Sequence, residues 1–391
     1  MSARESAGLE SPREPAMHRH RGPAGIVERS WSGAPGTVPW TRALLPLTPV
    51  YQAIVSGRRA RATRTRRALP GSYVVAIGGI TVGGAGKSSL ARWLALEAIA
   101  SRARPAVLLR GHGASRRGRA TDVVPDFAEY PLAAAVGRCG DEAAAHRAAL
   151  PREATVAVDR DRFRAARVAR DGYGATVAIL DDGWEQGSLR WDELWVSMDA
   201  SNPAGNGDLL PAGPLRRPFG TIGEASVIAL LVEDESAAGM APLLERVHTH
   251  APRAYVIRFR RRLAGISDIG AFGACGDGSA GARPAGLLSG VGAPDGLTRF
   301  ARASGIPVVL HAAFPDHARW TEDALRRAAS DAGRAGAQIL LITEKDEPRW
   351  PRGLRLPLPV RVLRTSLAAL DPMDEALVGI RAAVAALSRI D

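Results

Sequence analysis

Residues 73–77 form an unbroken apolar run that leads directly into Gly78-Gly79-Ile80-Thr81-Val82-Gly83-Gly84-Ala85-Gly86-Lys87-Ser88-Ser89, after which residues 90–99 take up a helical period. A strand that ends in a glycine loop and restarts as a helix leaves few folds open. Glycine tolerates positive φ and has no side chain to hold an anion away, so the loop can gather backbone N–H donors around a phosphate. The helix N-terminus adds partial positive charge at the same place. On this reading Thr81, Gly83, Gly84, Ala85, Gly86, Lys87, Ser88 and Ser89 line a site for the phosphates of ATP. Lys87 reaches the β- and γ-phosphates and Ser88 is a Mg2+ ligand. The strict pattern G-x-x-x-x-G-K-[ST] asks for glycine where Thr81 stands, so the match is imperfect.

The rest of the chain agrees with that start. Short runs rich in Val, Ile and Leu alternate with Ala-, Arg- and Glu-rich segments of helical period, as expected of buried parallel strands joined by crossover helices. Strands are expected at 73–77, 106–109, 155–158, 176–180, 193–196 and 226–231, and again at 255–259, 286–289, 307–310, 338–342 and 360–363. The expected fold is α/β: a P-loop NTPase-like doubly wound, mainly parallel sheet with a second, smaller α/β lobe and an N-terminal membrane-associated helix. Its divisions are a disordered tail (1–37), an amphipathic and basic membrane-surface segment (38–70), a P-loop lobe (71–269), a Gly/Ala-rich linker (270–284) and a C-terminal α/β lobe (285–391). The tail has the composition of a disordered segment and lacks the apolar core of a secretion signal.

A formal charge of +12 over 391 residues points to phosphates, nucleic acid or an anionic surface, and the position of the arginines separates these. The densest run, Arg58, Arg59, Arg61, Arg64, Arg66 and Arg67, follows an apolar stretch carrying Leu44, Leu45, Leu47, Val50, Tyr51, Ile54 and Val55. Pro46 and Pro49 interrupt that stretch, and it falls short of the roughly 20 residues a spanning helix needs. It reads either as an interfacial anchor whose arginines hold anionic headgroups or as an amphipathic helix packed on the protein. Aromatics make up 5% of the chain, which weakens a nucleic-acid role. Cys139 and Cys275 lie far apart, without metal-ligand spacing, so neither a disulfide framework nor a zinc site is suggested and a reducing cytoplasm fits.

The segment 79–88 resembles the phosphate loop of the tetraacyldisaccharide 4'-kinases, in which threonine stands at the deviant position. Further matches follow in the same order: Leu109-Arg110-Gly111-His112-Gly113, Gly140-Asp141-Glu142, Asp159-Arg160-Asp161-Arg162, Asp181-Asp182-Gly183, the long run 205–216, Phe314-Pro315-Asp316-His317 and Thr343-Glu344-Lys345-Asp346. The resemblance implies transfer of the ATP γ-phosphoryl group to the 4'-hydroxyl of an acylated glucosamine disaccharide 1-phosphate, in lipid A biosynthesis. It implies a peripheral protein on the cytoplasmic face of the bacterial inner membrane; no nucleic-acid partner is expected, and no oligomer is required.

Asp181 and Asp182 end an apolar strand, where carboxylates can hold Mg2+, although paired acids also suit the turn before Gly183. Asp141 suits a helix N-cap. The resemblance implies that it instead acts with His317, from the second lobe, in accepting the sugar hydroxyl's proton. Arg216 and Arg217 could meet phosphates or solvent, and 343–346 lies at the carboxyl end of a strand without an assigned chemistry. Three departures stand out: Trp184-Glu185-Gln186 after Asp-Asp-Gly, Ala318 after His317, and Arg217 where an acid is common. They leave open a catalytically altered paralogue, and a different P-loop ATPase is the other reading.

Overall fold

The computed structural model describes residues 16–19, 27, 30–31, 40–83, 86–111, 120–125, 132–233, 237–271, 283–290, 294–314, 320–351 and 353–387. Among them thirteen strands form one sheet, in the order β1-β11-β10-β12-β13-β9-β8-β7-β2-β6-β3-β5-β4. The strands are β1 (Ala16–Arg19), β2 (Tyr73–Gly78), β3 (Pro105–Leu109), β4 (Asp122–Val123), β5 (Thr155–Val158), β6 (Val177–Leu180) and β7 (Glu193–Asp199). They continue with β8 (Val227–Val232), β9 (Tyr255–Asp268), β10 (Ala285–Ser289), β11 (Val308–Ala313), β12 (Ile339–Thr343) and β13 (Val360–Ala369). All pairings are parallel except β4 with β5 and β9 with β13.

The helices are α1 (Thr48–Thr65), α2 (Lys87–Ala100), α3 (Leu132–Cys139), α4 (Asp141–Ala149), α5 (Arg162–Tyr173), α6 (Ala237–His250), α7 (Pro294–Ala303), α8 (Glu322–Arg334) and α9 (Val378–Leu387). They cover both faces of the sheet, which is why β3, β6, β10 and β12 are buried at every position and read as continuous apolar runs. Strand alternation sorts β2 between two cores. Val75 and Ile77 join Leu90 and Trp93 of α2, while Val74 and Ala76 join Ala165 and Ala169 of α5. Trp93 meets Phe259 of β9 edge-on at 4.7 Å between ring centroids.

Strand β9 ties the two lobes together. Its residues Tyr255–Arg260 pair with β8, and from Phe259 to Asp268 it pairs antiparallel with β13. The chain therefore crosses to the second lobe along β9 and returns along β13. After the return, Arg258 grips Asp371, and Ala376, Leu377 and Ile380 enter the core around Trp93. The C-terminal helix thus packs on the first lobe, which differs from the sequence expectation that all of 285–391 belongs to the second. Ile380 of that helix shares one core with Leu90, Trp93 and Leu94 of α2.

The N-terminal stretch differs as well. Residues 16–19 form β1 on the open edge of β11, and Ser30 Oγ lies 2.7 Å from Thr41 Oγ1. An open edge offers unpaired N–H and C=O groups to any extended segment, whether or not that segment has a hydrophobic period. A 3-10 helix (Trp40–Leu47) then leads into α1, which lies along the first lobe. Tyr51 donates to the Arg216 carbonyl at 3.3 Å, Val55 is half-buried, and the Arg66 guanidinium sits 3.5 Å over the Trp191 ring. Tyr51 and Val55 therefore face the protein rather than the apolar outer surface, which is formed by Leu45, Leu47, Val50 and Ile54. Among the described residues no helix is long and apolar enough to cross a membrane.

Candidate phosphoryl-transfer site

The carboxyl end of β2 delivers the glycine loop to the N-terminus of α2. Gly86 is the N-cap, at φ +73°, and a β-carbon there would lie 2.3 Å from Leu231 Cδ2, so neither the backbone nor the space admits a side chain. Gly83 is also left-handed, at φ +103°. Gly84 and Ala85 lie outside the described residues. Thr81 makes an antiparallel bridge to Leu215, flanked by Val82 N–H donating to the Pro214 carbonyl (2.8 Å) and Arg216 N–H donating to the Ile80 carbonyl (2.7 Å). The departure from glycine thus falls where the loop is held as a strand, a conformation that suits threonine.

The partner in that bridge is the long run 205–216. Asn206 folds it by donating to the Ala212 carbonyl (3.1 Å) and accepting from Asp208 N–H (3.1 Å). Gly205, at φ +58°, lies so close to Pro214 and the Trp31 carbonyl that a β-carbon would clash with both. Trp31 also donates to the Pro211 carbonyl at 3.3 Å, so the N-terminal segment braces the loop that braces the phosphate cradle.

Asp181 and Asp182 leave the end of β6 in different directions. Asp181 is 6% exposed, accepts from the Ser88 hydroxyl and lies 2.8 Å from His146 Nε2 of α4, itself 1% exposed. Burial pushes the Asp181 carboxyl up, but hydrogen bonds from His146 and Ser88 and the charge of Lys87 outweigh it, leaving the group below its ordinary value. Asp182 has φ +50°, which turns its carboxylate outward to Arg216 Nη1 (3.1 Å) and Lys87 Nζ (3.6 Å). The fold therefore joins Ser88 to Asp181 and Lys87 to Asp182. Ser89 is half-buried on the same first turn.

Asp141 occupies the first position of α4, after Gly140 as N-cap, so its negative charge lies at the helix's positive end. Its Oδ1 accepts from Glu142 N–H (3.0 Å) and its Oδ2 from Arg349 Nε (2.8 Å) and Nη2. Beside it, burial and then the charges of Asp181 and Asp141 push the Glu142 carboxyl up to about 7, against the opposing charge of Lys345. His317 and Ala318 lie outside the described residues. Of the nearest described residues on either side, the Phe314 and Trp320 rings stand 4.9 Å apart, and Trp320 meets Trp350 at 6.4 Å.

The departures near this site form one packed set. Arg217 is 3% exposed, lies 4.2 Å over the Trp184 ring and pairs with Glu185, while Trp184 covers Gly78. Gln186 caps its own turn, accepting from Ser188 and Leu189 N–H. Arg217 is thus committed to an internal stack and ion pair, whereas Arg216 faces the site. Asp161 caps α5 through Phe163 and Arg164 N–H, and Asp159 accepts from Thr121 and Arg164, which gives that motif a local structural role.

Sequence reasoning did not single out His146, Arg92 or Arg349. A single histidine in the alanine-rich helix of α4 and an arginine three residues after Asp346 were the available signals.

Residues 40–377 match the family described as Tetraacyldisaccharide-1-P 4'-kinase. A tetraacyldisaccharide 4'-kinase of Anaeromyxobacter sp. (strain K) is 35% identical over 375 residues, covering 93% of this chain and 96% of that protein. One of Syntrophobacter fumaroxidans is 36% identical over 336 residues, covering 84% and 85%. The crystal structure of Aquifex aeolicus LpxK in complex with ATP superposes with a TM-score of 0.64 at 22% identity, covering 89% of this chain and 99% of that one, a likeness of fold.

Proposed function

The chain belongs to the tetraacyldisaccharide-1-P 4'-kinase family, and we propose that it moves the γ-phosphoryl group of ATP to the 4'-hydroxyl of a tetraacylated glucosamine disaccharide 1-phosphate. The observation that carries this reading is the pairing of Lys87 with Asp182 and of Ser88 with Asp181 at the mouth of the glycine loop. Phosphoryl transfer spreads charge over equatorial oxygens in its transition state, so it is accelerated by fixed positive charge and by positioning.

The residues have separable tasks. Backbone N–H groups at the start of α2 bind phosphate oxygens, and Lys87 adds a full charge where the β- and γ-phosphates lie. Arg216, held by Asp182, offers a second cation at the rim. Ser88 and Asp181 form a hard oxygen set of the kind Mg2+ favours, with Asp182 beside them, and they would hold that ion, which supplies charge neutralisation when bound. Asp141 accepts the sugar hydroxyl's proton together with His317. In support, Trp320 reaches Trp350, the residue after Arg349, and Arg349 in turn grips Asp141.

The acyl chains of such a substrate keep it in a bilayer, so the site has to meet it at the surface. The outer stripe of Leu47, Val50 and Ile54 continues along the same face of α1 into exposed Arg58 and Arg61, with Arg64 also exposed. Apolar insertion followed by headgroup charge suits an anionic, cytoplasm-facing inner membrane.

The test is turnover of purified protein with Mg-ATP and the detergent-dispersed disaccharide 1-phosphate. Lys87→Ala, Asp141→Asn and His317→Ala should each suppress product formation. ATP hydrolysis that ignores the lipid, with no phosphorylated lipid product, would replace the kinase reading with that of an ATPase.

A further inference from the structure

The turn after β12 carries Glu344, Asp346, Glu347 and Arg349, and their partners divide by lobe. Asp346, fully buried, accepts from Thr343 Oγ1 (2.6 Å) and Gly290 N–H (3.2 Å). Glu347, 2% exposed, accepts from Arg364 Nη2 (2.9 Å) and Gly270 N–H (2.9 Å). These contacts pin the segment to the second lobe and to β13. Two others cross to the first lobe: Glu344 meets Arg92 of the phosphate-loop helix at 2.7 Å, and Arg349 meets Asp141. Both crossing pairs are largely shielded, with side-chain exposures of 10% and 13% for Glu344 and Arg92 and 10% and 19% for Arg349 and Asp141.

We infer that Arg349 is a positioning residue for phosphoryl transfer: its guanidinium, presented from the second lobe, orients the Asp141 carboxylate, so the proton acceptor is aligned only while the two lobes are together. The inference rests on the proposed role of Asp141. Two anchors fix that carboxylate's plane, the Glu142 N–H on Oδ1 and the arginine fork on Oδ2. The first belongs to α4 itself; the second is supplied from the other lobe. A lysine supplies the same charge but no planar fork, so charge alone does not reproduce the geometry. Pro348 and the Trp350–Trp320 contact hold the turn from which Arg349 projects. The nucleotide cradle is built from β2, α2 and the 205–216 run, all in the first lobe. Arg349 is therefore set to influence the chemical step more than ATP binding.

Steady-state kinetics on the full chain, with Mg-ATP and detergent-dispersed disaccharide 1-phosphate, test this with five variants. For Arg349→Ala, kcat falls on the order of 100-fold, the cost of a displaced reacting group. Its KM for ATP stays within about twofold, because uniform nucleotide binding is untouched. Arg349→Lys recovers part of the loss and remains informative if the alanine variant fails to fold, as thermal melts would reveal. Arg349→Ala adds nothing further in an Asp141→Asn background. Arg299→Ala removes a different contact between the lobes, the exposed 3.1 Å pair with Glu233, and leaves kcat unchanged.

Wild-type kcat in Arg349→Ala overturns the inference. So does a KM for ATP that rises as kcat falls, a loss that multiplies with that of Asp141→Asn, or an equal loss in Arg299→Ala. A fully active Asp141→Asn removes the proton-acceptor role and this inference with it. An inactive Asp141→Asn beside a fully active Arg349→Ala removes the inference alone.

Discussion

His146 Nε2 lies 2.8 Å from Asp181 Oδ2, with both side chains almost wholly out of solvent. A buried carboxylate without donors is costly, and here the imidazole and the Ser88 hydroxyl supply them. The pair links α4, which begins at Asp141, to the end of β6 and the first turn of α2, so three elements of the site share one polar contact. Replacing His146 with leucine removes a hydrogen bond to a charged group and is expected to cost about 1.5–3 kcal/mol in urea unfolding. Asparagine or glutamine, which can still donate, should recover part of that stability. A leucine variant as stable as wild type would mean that Asp181 finds another donor.

A second buried histidine gives a pH signature. His311 lies between Ser289 Oγ and Thr298 Oγ1, both at 2.7 Å, and burial lowers its pKa from 6.5 to about 4, with Asp295 opposing. The unfolded chain then binds a proton that the folded chain refuses across that interval, so the contribution is complete above 6.5 and lost as pH falls toward 4. Unfolding free energy measured between those limits should rise with pH by up to about 1.4 kcal/mol per unit from this group. His311→Gln should flatten that part of the curve; an unchanged slope would assign the dependence to other groups.

Gly86 offers a test of the cradle that leaves its charges alone. Alanine there meets Leu231 at 2.3 Å and must also adopt φ +73°. The backbone term alone costs roughly 1–2 kcal/mol. Calorimetric titration with Mg-ATP should show weakened binding in Gly86→Ala. Adding Leu231→Ala should restore only part of it, because the second change relieves the clash and not the φ.

The outer stripe of α1 should matter for surfaces and not for folding. Leu47, Val50 and Ile54 are 53%, 58% and 51% exposed, so changing all three to serine leaves the thermal midpoint near wild type. Binding to vesicles containing anionic lipid should fall in that variant and in Arg58→Ala/Arg61→Ala, the latter by about 1 kcal/mol per arginine. The arginine effect should shrink with added salt. Equal vesicle binding by all variants would remove α1 as the docking element.

The strands with both faces covered were legible because they must be apolar throughout: 155–158 was read without error, and the other expected strands begin within one residue of their observed starts. What escaped was polar by construction. Strand β9 continues through Arg260, Arg261 and Arg262 to Asp268 because it leaves the core and becomes half of an antiparallel ribbon, where alternate side chains meet solvent. Likewise the run Trp184-Glu185-Gln186 and Arg217 looked like two separate departures, since nothing in their spacing shows that the arginine lies over the tryptophan and pairs with the glutamate. The glycine loop and the Asp-Asp end of β6 were visible because both depend on local chain geometry. The contacts of Asp141 with Arg349, and of Glu344 with Arg92, join positions too distant in sequence to leave a local pattern.

Group transfer to a lipid-borne sugar leaves a chemical record on the lipid itself. Phosphorus NMR of the lipid recovered after incubation with Mg-ATP reads it directly. A second phosphomonoester should appear on the distal glucosamine at its 4'-oxygen, formed by the wild-type chain and not by Lys87→Ala. A lipid that keeps only its original 1-phosphate while ATP is consumed would contradict it.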